Sequence, residues 1–171
     1  MNIREELLIG KALFIRKVMP PDNAFLAKLI RDVFEEYNAP KQNTVYSDPT
    51  TDDLFTLFQK SRSVLWIALI NDEICGCCGI YQTEGLPENC AELSKFYLLK
   101  EARGKGIGKQ LMQKNFQSAK EMDYTSLYLE SLPQFSTAVS MYEKYGFTRI
   151  DKALGNSGHT SCNIWMIKEL T

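Results

Sequence analysis

The stretch "KEARGKGIGKQLM", Lys100 to Met112, sets glycine at 104, 106 and 108 beside Arg103, Lys105 and Lys109. Alternating glycine is costly in an ordered segment, because each one surrenders more backbone freedom on folding than any other residue. The run follows a strand-like apolar segment and passes directly into helical spacing, so the glycines fall where a helix begins. The first N–H groups of a helix have no internal partner, and the helix dipole adds positive potential there. Glycine lets the backbone come close to a phosphate, and the three basic residues add charge around the rim. The chemistry this pattern suits is anion binding. Two nucleotide motifs do not fit it. Lys109 is followed by Gln110 where a P-loop needs Ser or Thr, and the glycine spacing is not that of a dinucleotide fingerprint.

Other reactive side chains give weaker signals. Cys75, Cys77 and Cys78 crowd "EICGCCGIYQ", with Cys90 and Cys162 elsewhere. They lack the paired spacing of a zinc site, so they read as small buried strand residues and no metal is expected. Five cysteines, an odd number, suit a reducing cytoplasm. His159, the sole histidine, lies in the turn "GNSGHTSC" and reads as a surface or structural residue more readily than as an acceptor contact. Trp66 and Trp165 sit in apolar strand patterns and read as core.

The elements that must position these groups alternate between strand and helix. Residues 12–18 read as a first strand, broken by Pro20 and Pro21. Asp22 is placed as N-cap of a helix whose stripe is Phe25, Leu26, Leu29, Ile30, Val33, Phe34 and Tyr37. "TTDDLFTLFQK" reads as a short helix with Thr50 and Asp53 as a capping box. "SVLWIALI" and "EICGCCGIYQ" flank Asn71-Asp72 as a hairpin. "AELSKFYLL" leads into the glycines, and a helix runs on from Gly106. "TSLYLES" is a strand, and "FSTAVSMYEKY" is a helix ended by Gly146. "FTRI" and "SCNIWMIKEL" close the chain.

Composition sets the outer limits. The 171 residues, 44% hydrophobic and 24% charged, suit one globular domain over 1–171. A formal charge of −1 gives no general affinity for nucleic acid or anionic membrane. No apolar run approaches the roughly 20 residues that span a bilayer, and "MNIREELLIGK" lacks the basic-then-apolar order of an export signal. These features point to the cytoplasm.

The pattern Arg-x-x-Gly-x-Gly, as Arg103, Gly106 and Gly108, resembles the phosphate loop of the GNAT superfamily of N-acetyltransferases. "AELSKFYLLKEARGKGIGKQLM" is similar to that family's fourth strand, phosphate loop and third helix. "AVSMYEKYGF" resembles its second signature, a helix with a tyrosine ahead of a Gly-Phe pair. The resemblance implies an α/β fold with a mixed, mostly antiparallel twisted sheet of about six to seven strands and about four helices. It implies acetyl-CoA as co-substrate. Phe96, Tyr97 and Leu98 would pair with the pantetheine arm, and Arg103, Gly104, Lys105, Gly106, Ile107 and Gly108 would wrap the pyrophosphate with Lys109 nearby. Tyr142 would lie by the sulfur. One position departs from the family, which often has Asn where this chain has Phe135; Ser131 or Ser136 could substitute.

A protonated amine cannot attack a thioester, so a base must take its proton. Glu92 occupies the position of a catalytic glutamate in some members of the family, and reads either as that base or as a hydrogen-bonded strand-edge carboxylate. Tyr142 suits protonation of the departing thiolate. The acceptor, a small-molecule or peptide amine, would lie between Tyr37–Tyr46 and Leu154–Thr160. The alternative to an enzyme is a module that senses acetyl-CoA without turnover. Homodimerisation stays open.

Overall fold

A computed structural model describes residues 13–171; the reading of the N-terminal charge pattern and of Ala12 lies outside the described residues. Seven strands form one sheet: β1 Leu13–Lys17, β2 Val64–Ile70, β3 Glu73–Tyr81, β4 Cys90–Leu98, β5 Ser126–Ser131, β6 Thr148–Ile150 and β7 Ile164–Glu169. Among the described residues four α-helices flank it: α1 Asn23–Glu36, α2 Leu54–Leu57, α3 Ile107–Glu121 and α4 Ser136–Lys144. The strand order is β1-β2-β3-β4-β5-β7-β6. Every pairing is antiparallel except β4 with β5. The fold class expected from the sequence is the one observed.

Both faces of the sheet are covered, which explains the nearly unbroken apolar run of β2. Leu65 and Ile67 of β2 join Leu26, Ile30 and Phe34 of α1 on one face, with Leu54 and Phe58. Val64 and Ala68 join Ile107, Leu111 and Met112 of α3 on the other. The Asn71-Asp72 turn joins β2 to β3 with both residues at positive φ, 51° and 66°, as a tight hairpin of matching twist requires.

Asp22 stands at the N-cap position of α1, as expected, but its carboxylate makes no cap hydrogen bond to that helix. Asp22 ends the 3-10 turn Pro20–Asp22, where it accepts from the Met19 N–H at 2.8 Å and pairs with Arg16. Asp48 and Asp53, rather than Thr50 and Asp53, take the free amides of the second helical segment. Asp48 accepts from the Thr50 N–H and Asp53 from the Thr56 N–H. A carboxylate at each turn start does what the single box was expected to do. Trp66 and Trp165 are also only partly buried: Trp66 donates Nε1–H to Ser118 and lies beneath Lys114 at the rim of the core.

Candidate active site

The site begins where two strands part. β4 and β5 pair over Cys90–Ser126, Ala91–Leu127 and Glu92–Tyr128, and beyond Glu92 β4 keeps only β3 as a partner among the described strands. Gly79 then faces Ser94 while Cys77 faces Tyr97, so β4 holds one extra residue in a bulge. Lys95 sits in that bulge at φ 54°. A cavity of ≈ 380 Å³ fills the divergence. Of the residues singled out from sequence, Glu92, Phe96, Tyr97, Leu98, Arg103, Gly104, Gly106, Gly108, Lys109 and Tyr142 line it together. Lys105 is exposed and outside the lining, and the Ile107 side chain is fully buried in the core.

At one end of the cavity lies the glycine turn. Gly106 caps α3 at φ 81°, a conformation that disfavours a side chain, and the Gly104 Cβ position faces open space. A Cβ on Gly108 would come within 3.2 Å of Phe96 and 3.3 Å of Leu98, so this glycine lets the helix start lie flat on β4. Arg103 lines the cavity and is also held by its neighbours. Its guanidinium binds both oxygens of Glu36, donates to Tyr37 Oη and to the Leu98 carbonyl, and lies over the Tyr37 ring. It ties the turn to the end of α1.

Tyr142 is set by a helix ending. Gly146, at φ 93°, donates to the Glu143 carbonyl, and Phe147 donates back to the Tyr142 carbonyl. This is the paired Schellman ending, in which the residue after the glycine packs on the one five places before it. Here those two are Phe147 and Tyr142, with ring centroids 5.8 Å apart. The Tyr-x-x-x-Gly-Phe spacing is therefore a device for fixing one phenol. The ring is buried, and its hydroxyl has no hydrogen-bond partner among the described residues. Burial raises its pKa well above that of a free phenol, with the nearby Cys78 adding to the shift, so it holds its proton.

Glu92 is the last β4 residue paired to β5 and is 7% exposed. Burial, reinforced by Glu130, pushes its pKa up to about 7; Lys95 and the Thr83 hydroxyl, which donates at 2.9 Å, oppose that rise. A carboxyl so poised exchanges protons near neutrality, as a general base must.

The sequence from residue 30 to 147 matches the acetyltransferase (GNAT) family. An uncharacterized N-acetyltransferase of Escherichia coli K12, YjgM, is 35% identical over 158 residues, 91% of this chain and 94% of that one. This chain belongs to the GNAT family. It is an acyltransferase. Its fold resembles a GNAT acetyltransferase structure from Staphylococcus aureus Mu50, with a TM-score of 0.79 at 22% identity over 94% of this chain and 100% of that one. It also resembles the PaiA N-acetyltransferase of Thermoplasma acidophilum, solved with coenzyme A, with a TM-score of 0.74 at 21% identity over 92% and 99%.

Against the GNAT pattern, the far end of the cavity holds what sequence reasoning missed. Phe135, where the family often has Asn, meets Phe34 and Tyr37 edge-on at centroid distances of 5.2 and 5.6 Å, bridging α4 to α1. Ser131 lines the cavity, whereas Ser136 does not. His159, read as a surface or structural residue, is structural and also forms part of the wall. Its Nε2 lies 2.7 Å from Asp48 Oδ2 and its side chain is 12% exposed. Burial lowers its pKa and Lys95 adds to that, against the pull of Asp48. Lys95 was not singled out at all. The available signal was a lysine three residues after a glutamate in an otherwise apolar strand, which breaks simple alternation and marks a bulge.

Proposed function

We propose that this chain transfers an acetyl group from acetyl-CoA to a primary amine, with Glu92 as base and Tyr142 as acid. The observation that carries the reading is the open edge of β4, which runs from the glycine turn to Glu92 inside one cavity shared with Tyr142. The lining fits such a co-substrate. Its edge offers backbone groups without a strand partner, the turn has room where a Cβ would stand at Gly104, and Ser94 Oγ is buried without a partner among the described residues. Phe96, Tyr97 and Leu98 would hold the pantetheine arm, and Arg103 to Gly108 with Lys109 the pyrophosphate.

A bound thioester supplies an electrophilic carbonyl and a sulfur leaving group. Glu92 takes the proton that the amine must lose before its lone pair can attack, directly or through water. Tyr142 holds a proton for the sulfur. Burial makes a phenol a weaker acid, but the same surroundings make a thiolate a stronger base: the Cys162 thiol of this cavity is pushed up to about 12, chiefly by burial. Acid and leaving group therefore shift together.

Acetyl-CoA should raise the melting temperature, because a ligand that binds only the folded state stabilises it. ATP and NAD should do so far less. Acetyl-CoA with an amine panel should release free thiol. Equal stabilisation by ATP would overturn the co-substrate assignment, and acetyl-CoA binding without thiol release from any amine would favour a sensor.

A further inference from the structure

We infer that the acceptor is an amino acid, an amine that also carries a carboxylate, and that Lys95 is the group that binds the carboxylate; the inference rests on the acetyl-transfer reading above. Lys95 is 8% exposed and lines the cavity on the same bulged strand as Glu92. No carboxylate among the described residues comes within ion-pair distance of it. The three that share its surroundings already have donors of their own. Glu92 accepts from Thr83; Glu130 accepts from Tyr128 Oη at 2.7 Å and from Ser157; Asp48 accepts from Thr50 and faces His159. The Lys95 charge nonetheless bears on His159 and Cys162, which line the cavity from another segment, and on Asp48, which pairs with His159 behind the wall.

Two costs coincide at this residue. Burying an ammonium with no carboxylate in ion-pair reach is unfavourable, and a non-glycine residue at φ 54° adds backbone strain. Such costs gather where a ligand offsets them, and an anion in the cavity would offset the first. The opposite charge is also provided for. Glu92, Glu130 and Asp48 make the surroundings net acidic, which suits an approaching ammonium, and Glu92 is the group ready to deprotonate it. The loop from 151 to 163 is pinned over this end: Asn156 N–H donates to Glu84 O, Ser161 N–H to Asn43 O, Leu154 N–H to Tyr128 Oη, and Ser157 to Glu130. A small zwitterion fits this closed end better than an extended peptide.

The test compares matched pairs on the full chain: α- and ω-amino acids against their carboxamides, with acetyl-CoA and thiol release as readout. The amide's amine is less basic and more often free at neutral pH, so chemistry alone would favour the amide. The expected result is the reverse, a kcat/KM higher for the acid by roughly 10- to 100-fold, the worth of one charge-assisted hydrogen bond. In Lys95→Met the acid-to-amide ratio should fall toward one. Calorimetry with CoA and the N-acetyl amino acid product should show the same selectivity without turnover. Should Lys95→Met fail to fold, the ratio in the unmodified protein still decides. Equal use of acids and amides, preference for amides or peptides, or acetyl-CoA binding with no turnover of any amino acid would each overturn the acceptor assignment and leave the co-substrate reading intact. Failure to bind acetyl-CoA would instead sink that reading itself.

Discussion

The two ends of the cavity are built by different means. At the glycine end, the decisive residues lie within five positions of one another, Gly104 to Gly108, and Tyr142 is fixed by Phe147 five residues on. At the end proposed for the acceptor, His159 meets Asp48 across 111 positions of sequence and Ser161 reaches Gln42 across 119. Local backbone rules govern the first end and tertiary meetings govern the second. One end can be shared by proteins with different acceptors, while the other is free to differ.

The largest expected effects fall on the two groups at the junction of these ends. Tyr142→Phe keeps the ring against Phe147, so acetyl-CoA affinity should barely change while kcat falls roughly 10²–10⁴-fold. A drop in melting temperature with turnover per folded molecule preserved would make the hydroxyl structural. Glu92→Gln should cost a similar factor and remove the rise of rate with pH through about 7, the range in which the carboxyl ionises. Its stability effect has the opposite sign. Glu92 is raised from 4.5 to about 7 in the folded protein, so folding loses stability as pH climbs between those values. Above pH 7 the glutamine variant should be more stable, by the order of 3 kcal/mol. An unchanged melting temperature at pH 8 would contradict the burial argument.

Two further variants separate the ends. Gly106→Val puts a branched residue at φ 81° in the anion turn and should weaken acetyl-CoA binding at least about tenfold, the acceptor KM measured at saturating co-substrate changing little. His159→Ala removes the contact with Asp48 and should raise the acceptor KM about fivefold, the worth of roughly one hydrogen bond, with acetyl-CoA binding intact. Comparable shifts in both constants from either variant would mean that the ends are coupled. The smallest effect concerns Gly146→Ala. A Cβ at φ 93° would meet Lys168 Nζ at 2.9 Å, a flexible tip that can move, so the cost is backbone strain of about 1 kcal/mol. Differential scanning calorimetry should show a loss of about 2–4 °C.

This division also explains what was legible. The hairpin at Asn71-Asp72, the helix start at Gly106 and the helix end at Gly146 follow from local backbone preferences, and all three stand where the sequence puts them. The cap at Thr50 falls to Asp48 instead, because Ser, Thr and Asp candidates crowd residues 47–53 and only the folded backbone selects among them. Arg103 illustrates a different gap. Its charge beside the glycines is legible locally, whereas its pairing with Glu36, 67 positions away, is not. The role proposed for Lys95 depends on a bulge, on β4 leaving β5, and on a loop more than fifty residues later. No window of sequence contains all three.

The parting of β4 from β5 has a consequence for the life of the protein before it meets any ligand. A strand edge with unsatisfied amides is what templates aggregation when it lies at a molecule's rim. Here that edge is turned inward, roofed by α1 and α4 through Phe135 and Tyr37, where a second chain cannot reach it. While the roof is still forming, during synthesis or after heating, the same edge stands exposed. Refolding yield should then depend on how quickly something narrow enough to enter the cleft covers those amides, and the proposed co-substrate would serve as a chaperone.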